Sequence, residues 1–256
     1  MLRELNRDDW LGFLGLQPEQ VPPTLILRGT RNLKTRYEAF KGILTDVHEV
    51  GSPNGLFEDV LIGRLNGASI GFATVYGPAM ASEIAHVFGV LGTETVVQTG
   101  VCGALADEIG PGDLVVAASA GCGEGGVACY LPGLTSVDAS PDLVAAAVEA
   151  HDGGLPLHVG PIWTTAALLA EGEEQIGAWH RVGFVAMDME TATTFGVAEW
   201  SGMRRVSILS VFDNPRTGGH IALTEADKAD ARRAGDAAAH RTVERLVERL
   251  DAEVGG

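Results

Sequence analysis

Residues 58–76 read EDVLIGRLNGASIGFATVY, two largely apolar runs separated by Asn66-Gly67. Asn-Gly in that setting is the strongest short-range hairpin signal, because both central residues of the favoured two-residue turn need positive φ. An antiparallel pair is therefore expected over 58–65 and 68–76. Elsewhere short apolar runs alternate with stretches of helical spacing, the pattern of parallel strands joined by crossover helices. A chain that holds both patterns needs a mixed sheet.

The alternation runs the length of the chain. TLIL (24–27) reads as a strand, LKTRYEAFKGIL and AMASEIAHVFGVLG as helices, and 93–99 and 113–119 as buried strands. A glycine-rich loop is expected at 121–126, followed by a helix over PDLVAAAVEA that starts on Pro141, where the missing N–H costs nothing. PLHVGPIW returns as a strand. FVAM (184–187), a helix from about Glu190 and RRVSILSVF (204–212) form a further strand, helix and strand. A long helix over 224–254 closes the chain, opened by Thr224 and an acidic first turn. With 256 residues, 46% of them hydrophobic, and no repeat or linker, the expectation is one α/β domain over 1–256. Its architecture is a three-layer αβα arrangement around a central mixed, twisted sheet. Such folds bind ligands beyond the carboxyl ends of their strands.

Charge and cysteines narrow the partners. Eighteen Lys and Arg against 34 Asp and Glu give a net charge of −16, which repels nucleic acid and anionic membranes. Cys102, Cys122 and Cys129 show neither disulfide pairing numbers nor metal-ligand spacing, so no metal or other cofactor is expected. No apolar run reaches the roughly 20 residues of a membrane span, and a cytoplasmic protein is the expectation.

Four strand ends stand out: Arg28-Gly29-Thr30-Arg31, Gln98 to Gly103, Met187-Asp188-Met189-Glu190, and Phe212 to Arg216. QTGVCGALADEIGPGDLVVAAS and AMDMETATTFGVAEWSGMRRVSILSVFDNPRTG resemble, in order and spacing, two segments of the nucleoside phosphorylase and nucleosidase superfamily. GPAMASEIAHVFGVLGTETVV and HVGPIWTT extend the resemblance over roughly residues 24–230. It implies an enzyme that cleaves the N-glycosidic bond of a nucleoside, and a homo-oligomer.

The resemblance also implies roles. Glu190 accepts hydrogen bonds from the ribose hydroxyls and Met189 packs on the sugar. Met187 lies against the base, where a polarizable side chain fits; Phe212, Asn214, Thr165, Cys102 and Gly103 complete the base side. Bond cleavage leaves negative charge on the departing base, and Asp213 is the acid that protonates it at N7. Asn214, Arg216 or Lys228 orients it or polarises the base. Asp188 faces away and holds a neighbouring loop. Tyr130 falls where relatives carry a tyrosine near the sugar. The residues alone admit plainer readings: core methionines, a Glu190 that favours a helix N-terminus, an Asp-Asn-Pro turn, and Arg28 and Arg31 as solvated surface charge.

The pattern departs from the family at the phosphate site. Gln98 stands in place of a strand-end arginine, Val101 in place of a hydroxyl, and Leu33 in place of the first-loop arginine. Gly29, Arg28, Arg31 and Gln98 remain as candidates for phosphate or for a substrate's 5′-phosphate. Water is therefore the expected nucleophile and a nucleosidase the expected enzyme, acting on a purine nucleoside or nucleotide. A phosphorylase with a rebuilt phosphate site and a silent nucleoside-binding protein are the alternatives. The family's nearby base-side Asp and Arg are replaced by Ala166 and Ala170.

Overall fold

Strand β1 (Thr24–Gly29) shows how the layers are made, because its side chains alternate between two cores. Leu25 and Leu27 pack on one face with α1 (Arg7–Leu14), α3 (Gly77–Leu91) and part of α7 (Thr191–Ser201). Ile26 packs on the other face with α2 (Leu33–Lys41), α5 (Pro141–Ala150) and α8 (Ala229–Val254). The computed structural model describes residues 1–52, 55–218 and 228–254. The start of the closing helix at Thr224 lies outside the described residues, and α8 runs from Ala229.

The remaining strands are β2 (Thr45–Glu49), β3 (Val60–Leu65), β4 (Ala68–Val75), β5 (Thr95–Ala104), β6 (Leu114–Gly123), β7 (Ser136–Asp138), β8 (Leu157–Thr165), β9 (Ala186–Asp188) and β10 (Arg204–Asp213). The hairpin expected at Asn66-Gly67 joins β3 to β4, with φ of 52° and 95° at the two turn residues. β1 pairs in parallel with β4 and β5, and β5 in parallel with β10, so the sheet is mixed, with helices on both faces. A feature of the topology that the sequence did not announce is closure. β5, β10, β6, β8 and β9 pair in a ring that returns to β5. Small residues fill it: Ala104, Ala117, Ala120 and Ala186 pack there with Cys102, Ile162, Leu209 and Val211.

Several boundaries differ from the periodicity reading. The glycine-rich stretch stays in β6 through Gly123, and its last residue opens α4 (Gly126–Tyr130). β9 is only three residues long, since Phe184 lies edge-on to Trp163 rather than in the sheet. α1, β2, β7 and α6 (Glu173–Arg181) are short elements that periodicity does not announce. Among the described residues no helix is long and apolar enough to cross a membrane.

Candidate active site

A cleft of about 1680 Å³ opens at the ends of β1, β5, β8, β9 and β10. It is lined by Arg28, Gly29, Arg31, Cys102, Gly103, Thr165, Met187, Met189, Glu190, Phe212 and Asp213, so the strand ends read from the sequence converge. Gln98 and Asn214 are not among its lining residues.

The turn from β9 into α7 explains why two carboxylates stand two residues apart. Asp188, two residues before the helix N-cap, satisfies the first residue of α7: its Oδ2 accepts from the Thr191 backbone N–H at 2.8 Å and from the Thr191 hydroxyl at 2.5 Å. Its Oδ1 accepts from Thr164 Oγ1 at 2.7 Å, which ties β8 to β9. Glu190 has no capping bond to make on α7 and turns to the cleft. Its Oε1 accepts from the Gly77 N–H at 2.7 Å, an orphan donor in the first turn of α3. Burial, and then the Asp188 charge, push the Glu190 carboxyl up to about 8. Burial raises Asp188 too, and its hydroxyl and N–H donors oppose that shift.

Backbone proximity completes the Glu190 end of the cleft. A Cβ built on Gly29 would lie 2.6 Å from Glu190 Oε2 and 3.2 Å from Gln98 Nε2, so only glycine lets β1 approach this carboxyl. Gln98 is fully buried behind that contact, where it accepts from Thr194 Oγ1 at 2.9 Å and donates to the Thr99 carbonyl. Gln98, a phosphate candidate by sequence, lies behind the cleft wall, and its amide joins β5 to α7. Met189, partly exposed, lines the same end.

The Asp213 end of the cleft is built around Gly103. A Cβ there would lie 3.0 Å from Met187 Cε and 3.2 Å from Asp213 Oδ1, so Asp213 and Met187 close in on a bare backbone. Met187 packs on Leu105 and Trp179 beneath the cleft. Asp213 is buried, at 9% exposure, and ends β10. Phe212 lines the wall beneath the Arg232 guanidinium, which stacks over its ring at 4.3 Å. Asn214, expected at the base, is spent on the loop: Nδ2 donates to the Ala106 and Ile109 carbonyls at 2.8 and 3.0 Å, and Oδ1 accepts from the Arg216 N–H. Arg216 donates to the Leu105 carbonyl and Asp107. Burial, with the Asp188 and Asp213 charges, holds the Cys102 thiol well above its ordinary range, which leaves it an inert filler. Thr164 is occupied by Asp188, whereas Thr165 lines the cleft. Tyr130 lies elsewhere, its hydroxyl 3.3 Å from His86 Nδ1 and its ring against Trp200.

Two parts of the cleft escape motif reading, the first being the α2 and α8 side chains that gather around the expected Arg28 and Arg31. Arg28 is buried and ion-paired with Asp236 of α8, which also meets Arg36 at 3.0 Å. Arg28 Nε has no hydrogen-bond partner among the described residues. Arg31, over the Tyr76 ring, and Arg232, Arg233 and Arg241 of α8 join them on the wall. In an acidic chain this is a local concentration of cations. The pairing of β1 with α8 spans 208 positions, so no local pattern announces it. The second missed residue is Glu171, at the end of a short 3₁₀ turn, Leu168–Ala170, beyond β8. Glutamate after Leu168-Leu169-Ala170 in a loop carries no motif signal.

Comparison with known proteins agrees with this geometry. Residues 26–248 match the family model described as Phosphorylase superfamily. The guanosine phosphorylase of Halorubrum lacusprofundi is 36% identical over 128 residues, 48% of this chain and 52% of that protein. A DeoD-type purine nucleoside phosphorylase of Myxococcus xanthus is 30% identical over 54% of this chain and 57% of its own length. The chain thus spans little more than half the length of these curated relatives. A DeoD-type purine nucleoside phosphorylase of Shewanella oneidensis is matched more fully, at 27% identity over 80% of this chain and 88% of that one. The fold matches the crystal structure of uridine phosphorylase from Vibrio fischeri, with a TM-score of 0.76 and 22% identity over 92% and 95% of the two chains.

Proposed function

The chain belongs to the phosphorylase superfamily, and on that premise we propose that it cleaves the N-glycosidic bond of a purine nucleoside with inorganic phosphate as nucleophile. One observation carries the reading: the buried carboxyl of Asp213, the thioether of Met187 and the carboxyl of Glu190 line one cleft, with Asp213 and Met187 meeting over Gly103 and Glu190 against Gly29. In the proposed step Glu190 holds the ribose hydroxyls and Met187 lies against the base. The C1′–N9 bond breaks and its electron pair stays on the purine. Asp213 gives its proton to N7, and a phosphate oxygen bonds to C1′, leaving free base and ribose 1-phosphate.

The nucleophile is the point at which the proposal departs from sequence reasoning, which favours water because Leu33, Gln98 and Val101 occupy the family's phosphate-ligand places. Arg28, Arg31 and Arg36 line the wall beyond Glu190 and support phosphate. The relatives reported above are named phosphorylases, which supports the same choice. Water is the second reading, favoured by the buried structural role of Gln98.

The test is to incubate the protein with purine nucleosides and their 5′-monophosphates, with and without phosphate, and identify the products by chromatography. Phosphate-dependent ribose 1-phosphate is the expected result. Free ribose formed without phosphate would restore the nucleosidase reading, and absence of release from every substrate would make the cleft a binding site only. The proposal includes a single domain acting as a homo-oligomer, checked by limited proteolysis and by light scattering.

A further inference from the structure

The arginine wall of the cleft carries an acid of its own. Of the α8 residues that line it, Arg232, Arg233, Asp236, Ala237, His240 and Arg241, only Asp236 is acidic. It meets the arginines that come from β1 and α2. Its Oδ1 accepts from Arg28 Nη2, and its Oδ2 pairs with Arg36 Nη1 at 3.0 Å. The carboxylate thus bridges two guanidiniums with one oxygen to each, the same chemistry that two oxygens of a phosphate supply. Arg28 is 6% exposed, and its Nε is closed off from solvent with no hydrogen-bond partner among the described residues. The bridge therefore leaves one donor of a buried fork unfilled.

Such a bridge has two opposite effects. Arg28 is a full charge taken out of water, and without an anion beside it the fold would bear a large desolvation cost. Asp236 supplies that anion. Toward an incoming phosphate, however, Asp236 is a like charge, and it cancels one of the two positive charges of Arg28 and Arg36. Neighbouring arginines do not restore the balance, since Arg233 is paired with Asp230 and Arg241 with Asp152. Resting on the reading of Arg28 and Arg36 as supports of the attacking phosphate, we propose that Asp236 is an internal stand-in for that phosphate, which holds Arg28 until the anion arrives and sets the KM for phosphate by competing with it. An acid that merely positioned Arg28 would have the opposite sign, because its removal would weaken phosphate binding.

The test measures phosphate binding by calorimetry, and KM for phosphate at saturating purine nucleoside, in the wild type, Asp236→Asn, Arg28→Met and the double variant. Asp236→Asn keeps the shape and removes the charge. It should tighten phosphate binding and lower its KM by about 10-fold or more, in line with relief of a like charge beside a bound anion, with KM for the nucleoside nearly unchanged. In the Arg28→Met background the same substitution should gain much less, because the contested donor is gone. Unchanged or weaker phosphate binding in Asp236→Asn, or an equal gain with and without Arg28, would overturn the proposal. Should Asp236→Asn not fold, crystals of the wild type soaked in phosphate decide: phosphate oxygens on Arg28 with Asp236 displaced uphold the stand-in, and an intact Arg28–Asp236–Arg36 bridge refutes it. The outcomes also separate this claim from the reaction. Tighter phosphate binding in Asp236→Asn, together with base release that needs no phosphate, would uphold the competition for Arg28 and refute phosphorolysis. Phosphate-dependent turnover whose KM ignores Asp236 would refute the stand-in alone.

Discussion

The two ends of the cleft are made in different ways. The base and sugar end is a set of strand termini, with Asp213 on β10, Met187 and Glu190 around β9, and Gly29 and Gly103 as bare backbone that lets them close in. Each sits in a strand-to-loop segment whose local sequence already implies its place. The cationic end is assembled across the molecule, from Arg28 on β1, Arg36 on α2 and Asp236 on α8. Short segments carry the first kind of site in their own pattern. The second kind exists only after the layers have packed.

The largest effect should come from the base end. Asp213→Asn keeps the shape but holds no transferable proton, and kcat should fall by about 10²- to 10⁴-fold while nucleoside affinity, measured by calorimetry, changes little. Turnover within tenfold of the wild type would remove the acid from Asp213 and blur the contrast between the ends.

Glu190 should mark the sugar end through pH. Its folded carboxyl is raised to about 8 from an ordinary 4.5, so the fold favours the protonated form. The stability this brings is full below the unfolded value and is lost as pH rises through the folded one. Between pH 5 and 8, Glu190→Gln should flatten that loss and gain about 2–4 kcal/mol over the wild type at the alkaline end, measured by denaturant unfolding at several pH values. Parallel curves would mean that Glu190 is not buried in solution as it is here.

At the cationic end, Arg28→Met should raise KM for phosphate by about 10- to 100-fold, the worth of a hydrogen bond to a charged group, with a much smaller change in KM for the nucleoside. Equal changes in both constants would show that Arg28 supports the whole cleft rather than the anion.

The smallest effect tests the seam between the ends. Gly29→Ala places a methyl group 2.6 Å from Glu190 Oε2, and should cost about 1–3 kcal/mol of stability as overpacking does. Thermal unfolding measures it, and an unchanged midpoint would mean that β1 can withdraw from the carboxyl.

Much of this molecule was legible in its chain. Asn66-Gly67 placed the hairpin, Pro141 the start of α5, and alternating apolar runs the flanked mixed sheet. Motif order pointed to Asp213, Met187, Met189 and Glu190, and all four line the cleft. Gln98 and Asn214 sat in the right segments and still miss it, because side chains at a strand end alternate between faces and a buried amide takes the nearest partners. Glu190 was readable both as a helix-favouring acid and as a ligand group. The bonds of Asp188 to Thr191 leave the Glu190 carboxyl free of the helix end, and bond geometry is not written in residue order.

The sequence by itself determined the class of fold and the strand ends at which ligands gather, because periodicity and turn chemistry are local properties of the chain, and its motif order carried the resemblance to the family. Tertiary structure alone decided that five strands close into a ring, that Asp236 reaches Arg28 across 208 positions, and that Glu171 lines the cleft with one buried oxygen unpartnered among the described residues. These depend on burial and on distances between remote segments, and both come into existence only when the layers pack.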